Sequence, residues 1–289
     1  MGGTAVAFNF TRFVVGWRSP VAVETSYILE GFQSTKRTVP ASPFLVSAML
    51  GLGGVNGSMQ GLDLVDTGRR LALVLVPMVL SLTVHECAHA GCAYLLGDRT
   101  AKDAGRLTLN PQAHIDPWGT LFIPALGVLI GGIPFLGWAR PTPYNASRFR
   151  QGLNRRLGGV LVSVAGPLSI VLLALAAISL LAALGKAGFP LYRLSDDGDA
   201  IHRGPVAVFL LAMYELNLGL AFFNLLPIPP LDGYRLLPPV LDPLVRPLER
   251  YGFAILMVLF LLLPPVVLGT LFSPVLYVME RGEVLFGVG

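Results

Sequence analysis

Residues 81–98 read SLTVHECAHAGCAYLLGD and extend from the middle to just past the end of a long apolar run, 71–97. Glu86 is the only Asp, Glu, Lys or Arg side chain in that run, and it stands between two histidines, His85 and His89. An ionisable residue inside a membrane span costs roughly 2.5–3.5 kcal/mol for Asp, Lys or Arg, so such residues usually serve a function. The stretch therefore indicates a functional site at membrane depth.

The composition places the whole chain in the membrane class. Of 289 residues, 54% are hydrophobic and only 13% are charged, and the mean hydropathy is +0.67. Soluble domains carry about 25% charged residues. Four apolar runs, each longer than the ~20 residues needed to cross a bilayer core, are 71–97, 157–185, 204–231 and 253–279. We predict an all-α polytopic membrane protein with four long transmembrane helices.

The net charge of +4 does not indicate a nucleic-acid partner. Five of the arginines lie in 140–156, which contains no acidic residue, beside an apolar run. The positive-inside rule explains such a cluster, so the lipid bilayer is the expected partner. Cys87 and Cys92 are separated by about 140° around one helix and cannot pair with each other.

The chain divides into two regions by composition. Residues 1–60 are mixed in composition and contain no run long enough to span a membrane, so they form an N-terminal extension whose role the sequence does not indicate. The start lacks a basic region followed by an apolar stretch, so we expect no cleaved signal peptide. Residues 61–289 form the predicted membrane domain.

The sequence HECAH, residues 85–89, fits the pattern H-E-x-x-H. His85 and His89 are one turn apart on the same helix face, so both imidazoles can reach one metal ion. Glu86 is rotated about 100° from His85, which lets it act on water beside the metal, whereas Cys87 points about 200° away. The alternative is two histidines hydrogen-bonded in a polar helix interface, but three adjoining polar groups in a span favour a shared partner.

A second polar cluster ends the third apolar run, in FNLLPIPPLDG, residues 223–233. Its prolines stop the helix, and Asp232 follows them. A catalytic zinc site uses three protein ligands, so Asp232 is the candidate for the third. The alternative for Asp232 is an N-cap of the next helix; its pairing with an H-E-x-x-H motif favours the metal role.

HECAH followed about 140 residues later by NLLPIPPLDG resembles the site-2 protease family of intramembrane zinc metalloproteases, most closely its minimal members without a PDZ or CBS domain. The likeness covers roughly 70–280 and extends to LNPQAHIDPWGT, GWARPTPYN and VAGPLS. Ser169, in AGPLS, departs from the asparagine that the family often has there.

The resemblance implies a zinc-dependent endopeptidase that cuts transmembrane segments of membrane-protein substrates. It implies His85, His89 and Asp232 as ligands of one zinc ion per chain, Glu86 as general base, and Asn224 as a polar group near the substrate. The rival interpretation is a non-catalytic zinc-binding membrane protein or a metal transporter. A transporter would repeat its ligands along a path, and a protein without catalysis would not need Glu86.

Three further features have local interpretations. Segment 137–145, GWARPTPYN, is the candidate backbone edge that holds an extended substrate by strand addition. His114, which shares a loop with Asp116, is interpreted as a loop staple or cap rather than a metal ligand. Glu215, about 13 Å along its helix from Asn224, is interpreted as a buried hydrogen-bonding group.

The predicted site also constrains the topology. Both histidines lie in the C-terminal half of their helix and Asp232 lies just past the end of its own, so these two helices should run parallel. One crossing between them, 157–185, satisfies this if segment 117–138 enters the membrane and returns. The arginines of 140–156 then lie in the cytoplasm, and we expect the active site toward the cytoplasmic side of a bacterial membrane.

Overall fold

The computed structural model describes residues 64–129, 137–194, 201–262 and 265–288, so the predicted extension 1–60 lies outside the described residues. The α-helices of the described ranges are α1 Leu64–Leu95, α2 Thr100–Asp103, α3 Ile123–Leu129, α4 Arg155–Lys186, α5 Pro205–Asn224, α6 Asp242–Glu249, α7 Gly252–Leu262 and α8 Pro265–Leu285. A π-helix, Pro117–Phe122, precedes α3, and short 3-10 turns lie at Pro111–Ala113, Ala146–Arg148, Asp232–Leu236 and Pro239–Leu241. An antiparallel pair, β1 Tyr192–Leu194 with β2 Ile201–Arg203, is an exception to the all-α prediction.

Three of the described helices are long and apolar enough to cross a membrane: Thr67–Leu95, Arg155–Lys186 and Pro205–Asn224. They match the first three predicted spans. Helix α4 turns leucines away from the rest of the protein, with Leu168 54% and Leu172 58% exposed. Exposed leucines on a long apolar helix are expected where lipid replaces water. The protein is an integral membrane protein.

The predicted fourth span is not confirmed. In run 253–279 the structure describes α7 up to Leu262 and α8 from Pro265, and neither helix is among the three candidate spans. Segment 117–138 is described only up to Leu129 and again from Gly137, so its re-entrant course stays a prediction.

The helix ends follow from local sequence. Asn154 caps α4, because its side-chain oxygen accepts hydrogen bonds from the N–H groups of Arg156 and Leu157. Helix α5 begins with Pro205, whose missing N–H is not needed in a first turn. The same helix ends at Asn224, ahead of the prolines of LLPIPPLDG. The end of α5 places the second polar cluster of the sequence at a helix end.

Helix α5 is the centre of the bundle. It packs against α1, α4 and α8, and α4 in turn packs against α1. Nearly the whole length of α5 is buried, including Leu211, Tyr214 and Leu216. This burial matches a helix that is apolar all round and surrounded by other helices.

The ends of the helices define two faces of the bundle. The site face holds the end of α1 and the start of α4: the Arg150 N–H donates to Leu96 O at 2.8 Å, and the Asn145 N–H donates to Asp98 Oδ2 at 2.5 Å. The far face holds the hairpin and the end of α8, where the Tyr192 hydroxyl donates to Val288 O at 3.1 Å. The connection between α1 and α4 therefore starts and ends at the same face.

Candidate functional site

Three predicted metal ligands meet where α1 approaches the turn after α5. His85 Nε2 and His89 Nε2 lie 2.9 Å apart. Asp232 Oδ2 lies 3.1 Å from His85 Nε2 and 3.2 Å from His89 Nε2. The two histidines are only 4% and 8% exposed. The structure thus brings together residues that are about 140 positions apart in the chain.

The position of Asp232 depends on a tight turn. Asp232 opens a 3-10 helix, Asp232–Leu236, and caps no N–H group there, so the helix-cap alternative is not supported. Gly233 lies so close to the backbone of Leu225 that any Cβ would overlap it. The turn therefore presents the Asp232 carboxylate to the Nε2 atoms of both imidazoles.

Helix α4 completes the surroundings of the histidines. His89 Nδ1–H donates to Val162 O at 2.6 Å, which fixes the tautomer and leaves Nε2 free to bind a metal. Gly166, one turn further along α4, faces both rings: a Cβ there would lie 2.6 Å from His85 Cε1 and would also overlap the His89 ring. Only glycine leaves room for the two imidazoles at this point.

The donor set fits a catalytic zinc ion. In a tetrahedral site with bonds of about 2.0–2.1 Å, ligand atoms lie roughly 3.3–3.4 Å apart, close to the separations of these three atoms. Two imidazole nitrogens and one carboxylate oxygen make a three-ligand set that leaves a fourth position open. Within the described parts of the chain, His85, His89 and Asp232 are the one group with this geometry, and Cys87 is not part of it.

Glu86 stands beside the metal group but is not a member of it. Its carboxylate Oε2 accepts a hydrogen bond from the Thr142 N–H at 2.8 Å. Its backbone carbonyl accepts a second bond from the Thr142 hydroxyl at 3.1 Å. Thr142 belongs to residues 137–145, which we call the strap, and the strap therefore reaches the depth of the metal group.

The other predicted residues lie around this centre. Asn224 is the last residue of α5, and its Nδ2 donates to Leu220 O at 2.9 Å. Glu215 is buried within α5. His114 Nε2–H donates to Thr108 O at 2.9 Å, and Asp116 caps the π-helix by accepting from two N–H groups. His114 and Asp116 thus staple and cap their loop, as interpreted from the sequence.

Three contributors were not identified from the sequence: the Val162 carbonyl, Gly166 and Thr142. The Val162 carbonyl and the Thr142 N–H are backbone groups and Gly166 acts through a missing side chain, so no side-chain pattern marks these contacts. The glycine and proline of VAGPLS lie inside an apolar span, and this pattern could have indicated a close helix contact there. The prolines around Thr142, in RPTPY, similarly mark a fixed extended segment.

Comparison with known proteins agrees with this geometry. Residues 73–264 match the model of "Peptidase family M50". The chain is 42% identical over 191 residues to "Putative zinc metalloprotease YwhC" of Bacillus subtilis (strain 168), an alignment covering 65% of this chain and 79% of that protein.

The relatives from mycobacteria cover more of the chain. The match to "Putative zinc metalloprotease Rip2" of Mycobacterium tuberculosis (strain ATCC 25618 / H37Rv) is 33% identical over 263 residues, 86% of this chain and 90% of that protein. Rip2 of Mycolicibacterium smegmatis is 32% identical over 238 residues, 78% of this chain and 82% of that protein. No solved structure matches. The chain therefore belongs to peptidase family M50, the site-2 protease family, and is a zinc metalloprotease.

Proposed function

We propose that this metalloprotease is an intramembrane endopeptidase, which hydrolyses peptide bonds within or near transmembrane helices of membrane-protein substrates. The observation that carries the proposal is the depth of the metal group. His89 and His85 lie six and ten residues before Leu95, the end of α1, or about 9 Å and 15 Å along the helix. Both are buried in an apolar span, so the scissile bond has to reach them below the membrane surface.

The proposed roles follow from the arrangement. His85, His89 and Asp232 would hold zinc, which when bound would supply a Lewis acid for the scissile carbonyl and lower the pKa of the attacking water toward about 7. Glu86 takes the proton of the attacking water and passes it to the leaving amine. Asn224 keeps one amide hydrogen free of its bond to Leu220, and that hydrogen serves as a donor to the substrate or to its developing oxyanion.

The strap is the proposed support for an extended substrate. Alternate residues of the strap donate their N–H groups to the protein: Trp138 to Gly119 O, Arg140 to His114 O and Thr142 to Glu86. Two residues of the opposite edge, Pro141 and Pro143, have no N–H. On that edge the strap offers carbonyl acceptors but few N–H donors. A substrate strand paired there would therefore bind mainly through its own N–H groups, which donate to strap carbonyls.

The topology proposal rests on contacts across the loop between α1 and α4. The Trp138 N–H donates to Gly119 O at 3.1 Å, and the Thr120 hydroxyl donates to Trp138 O at 2.8 Å, so the two ends of segment 117–138 lie side by side. These contacts support a segment that enters and leaves the membrane at the site face. The five arginines of 140–156 support a cytoplasmic location for that face, in a bacterial cytoplasmic membrane.

The transporter alternative has no comparable support. The described ranges contain the single metal group at one depth, whereas a metal path needs ligands at successive depths. Glu86 lies beside the metal group without belonging to it, a position that hydrolysis uses and metal transport does not need.

The test is cleavage of a purified transmembrane substrate by the zinc-loaded protein in lipid nanodiscs. We expect cleavage within or beside the substrate's hydrophobic segment, mapped by mass spectrometry, and its loss on zinc removal. Glu86→Gln should keep zinc and lose at least nine-tenths of the activity, because Glu86 serves the water rather than the metal. Cleavage confined to soluble peptides, or full activity of Glu86→Gln, would contradict the proposal.

A further inference from the structure

We propose that Thr142 is a positioning residue for Glu86: its backbone N–H holds the carboxylate of the general base in its working orientation. The inference rests on the proposed role of Glu86 and adds a residue that acts through it. The strap is thus a part of the catalytic apparatus as well as a surface beside it.

Two hydrogen bonds join Thr142 to Glu86, across 56 residues of sequence. The N–H of Thr142 binds Oε2 at 2.8 Å and its hydroxyl binds the Glu86 carbonyl at 3.1 Å. The first bond is made to a carboxylate oxygen, and a hydrogen bond to an ionised carboxylate is roughly twice as strong as a neutral one. The second bond fixes the strap to the backbone of α1, so the Thr142 N–H and the Glu86 carboxylate are held in a fixed relative position.

The geometry leaves one carboxylate oxygen available. No hydrogen bond from a described residue reaches Oε1 of Glu86. With Oε2 held by the strap, the carboxylate cannot rotate freely about its last bond, and Oε1 keeps one direction. A general base has to lie within about 2.6–3.2 Å of the atom whose proton it takes. Holding Oε1 in one orientation should therefore raise the rate of proton transfer.

The strap is itself fixed on both sides of Thr142. On one side the Arg140 N–H donates to His114 O at 2.8 Å, and His114 is buried and bonded to Thr108. On the other side the Asn145 N–H donates to Asp98 Oδ2 at 2.5 Å. Asp98 is fully buried. The loop residues His114 and Asp98 thereby hold the two ends of the segment that holds Glu86.

Asp98 is a suitable anchor because it is ionised. Burial alone would raise the pKa of the Asp98 carboxyl. Hydrogen bonds from the Thr100 hydroxyl and from the Asn145 N–H outweigh burial, so the pKa lies below its ordinary value. Pro141 and Pro143 stiffen the strap between the anchors, since each fixes its own φ and restricts the residue before it to extended backbone. The N–H of Thr142 is therefore presented with little loss of conformational entropy.

The test compares three substitutions that separate the N–H from the hydroxyl. Thr142→Ser keeps both donors, Thr142→Val keeps only the N–H, and Thr142→Pro removes both in a segment that is already extended. We expect a lower kcat for Thr142→Pro than for Thr142→Val, because only the valine variant keeps the N–H that binds Glu86. For Thr142→Pro we expect kcat to fall about 10- to 100-fold, with an unchanged KM and zinc content.

A second measurement does not depend on the folding of the proline variant. With ¹⁵N-threonine labelling of the full chain in nanodiscs, the Thr142 amide resonance is assigned by its absence in Thr142→Ser. We expect its proton resonance far downfield in the wild type and shifted upfield in Glu86→Gln, because the charge-assisted bond becomes a neutral one. The other threonine amides should stay in place.

The outcomes separate this inference from the proposed function. Equal kcat for Thr142→Pro and Thr142→Val, or a Thr142 amide that does not respond to Glu86→Gln, would overturn the positioning role while leaving Glu86 as the base. Loss of zinc in a folded Thr142→Pro variant would also overturn it, since the strap would then support the metal group instead. Full activity of Glu86→Gln would overturn the role of Glu86 itself.

Discussion

Replacing Gly166 by alanine is the sharpest test of how the helices form the metal group. The new Cβ would lie 2.6 Å from His85 Cε1 and would overlap the His89 ring as well. Carbon atoms in ordinary contact are about 3.5–4.0 Å apart, so the rings or the helix would have to move by roughly 1 Å. The displaced atoms are the metal-binding ends of both imidazoles.

A shift of that size is large for a metal site, where ligand distances hold within about 0.2 Å. We expect zinc affinity to fall at least as far as it does when an outer contact of a ligand is removed, about 10- to 100-fold, or roughly 1.4–2.7 kcal/mol. The affinity is measured by competition with a chromophoric chelator in detergent or nanodiscs. The fraction of folded protein is measured on the same samples by circular dichroism.

Gly159 provides the matched control on the same helix. A Cβ at Gly159 would lie 3.7 Å from the Tyr144 hydroxyl, an ordinary contact. Both changes replace glycine by a residue that favours helix by up to about 1 kcal/mol, so any gain in helix stability is shared. Gly159→Ala should bind zinc like the wild type. Equal zinc affinity for the two variants would refute the argument that α4 needs a glycine against the histidines.

Three further predictions test the ligand set and the topology. Asp232→Asn should lower both zinc occupancy and activity, because a neutral ligand replaces an anionic one; full zinc with normal turnover would remove Asp232 from the ligand set. Cys87→Ala should leave zinc content unchanged, because the Cys87 side chain points away from His85 on the helix. Zinc loss would show that the helix presents a different face to the metal. In a background without Cys87 and Cys92, cysteines introduced as Asp103→Cys and Arg150→Cys should react with an impermeant thiol reagent from the same side of the membrane. Labelling from opposite sides would show that segment 117–138 crosses it.

The metal group was predictable because its geometry is largely local. Two histidines four residues apart on a helix have to share a face, and the structure places their Nε2 atoms 2.9 Å apart. Asp232 needed a longer inference: a carboxylate beside helix-breaking prolines at membrane depth requires a partner. Both arguments use the cost of polar groups in an apolar environment, which the sequence displays directly.

The remaining features depend on how segments meet. Thr142 reaches Glu86 through a backbone N–H, and every residue except proline carries one, so the side-chain pattern contains no trace of the contact. The fourth predicted span rested on hydropathy alone, and among the described helices neither α7 nor α8 is a candidate span. Hydropathy counts apolar residues, so it indicates membrane location more directly than it indicates helix bounds.

The contact between Thr142 and Glu86 has an evolutionary consequence. Because the donor is a main-chain group, nineteen of the twenty amino acids can supply it. Sequence change at position 142 is therefore restricted by the exclusion of proline and not by a need for one particular residue. Saturation mutagenesis under selection for proteolysis should accept a broad range of side chains there and reject proline. Alignments that rank positions by residue identity would score such a site as dispensable, although the chain passing through it orients the catalytic base.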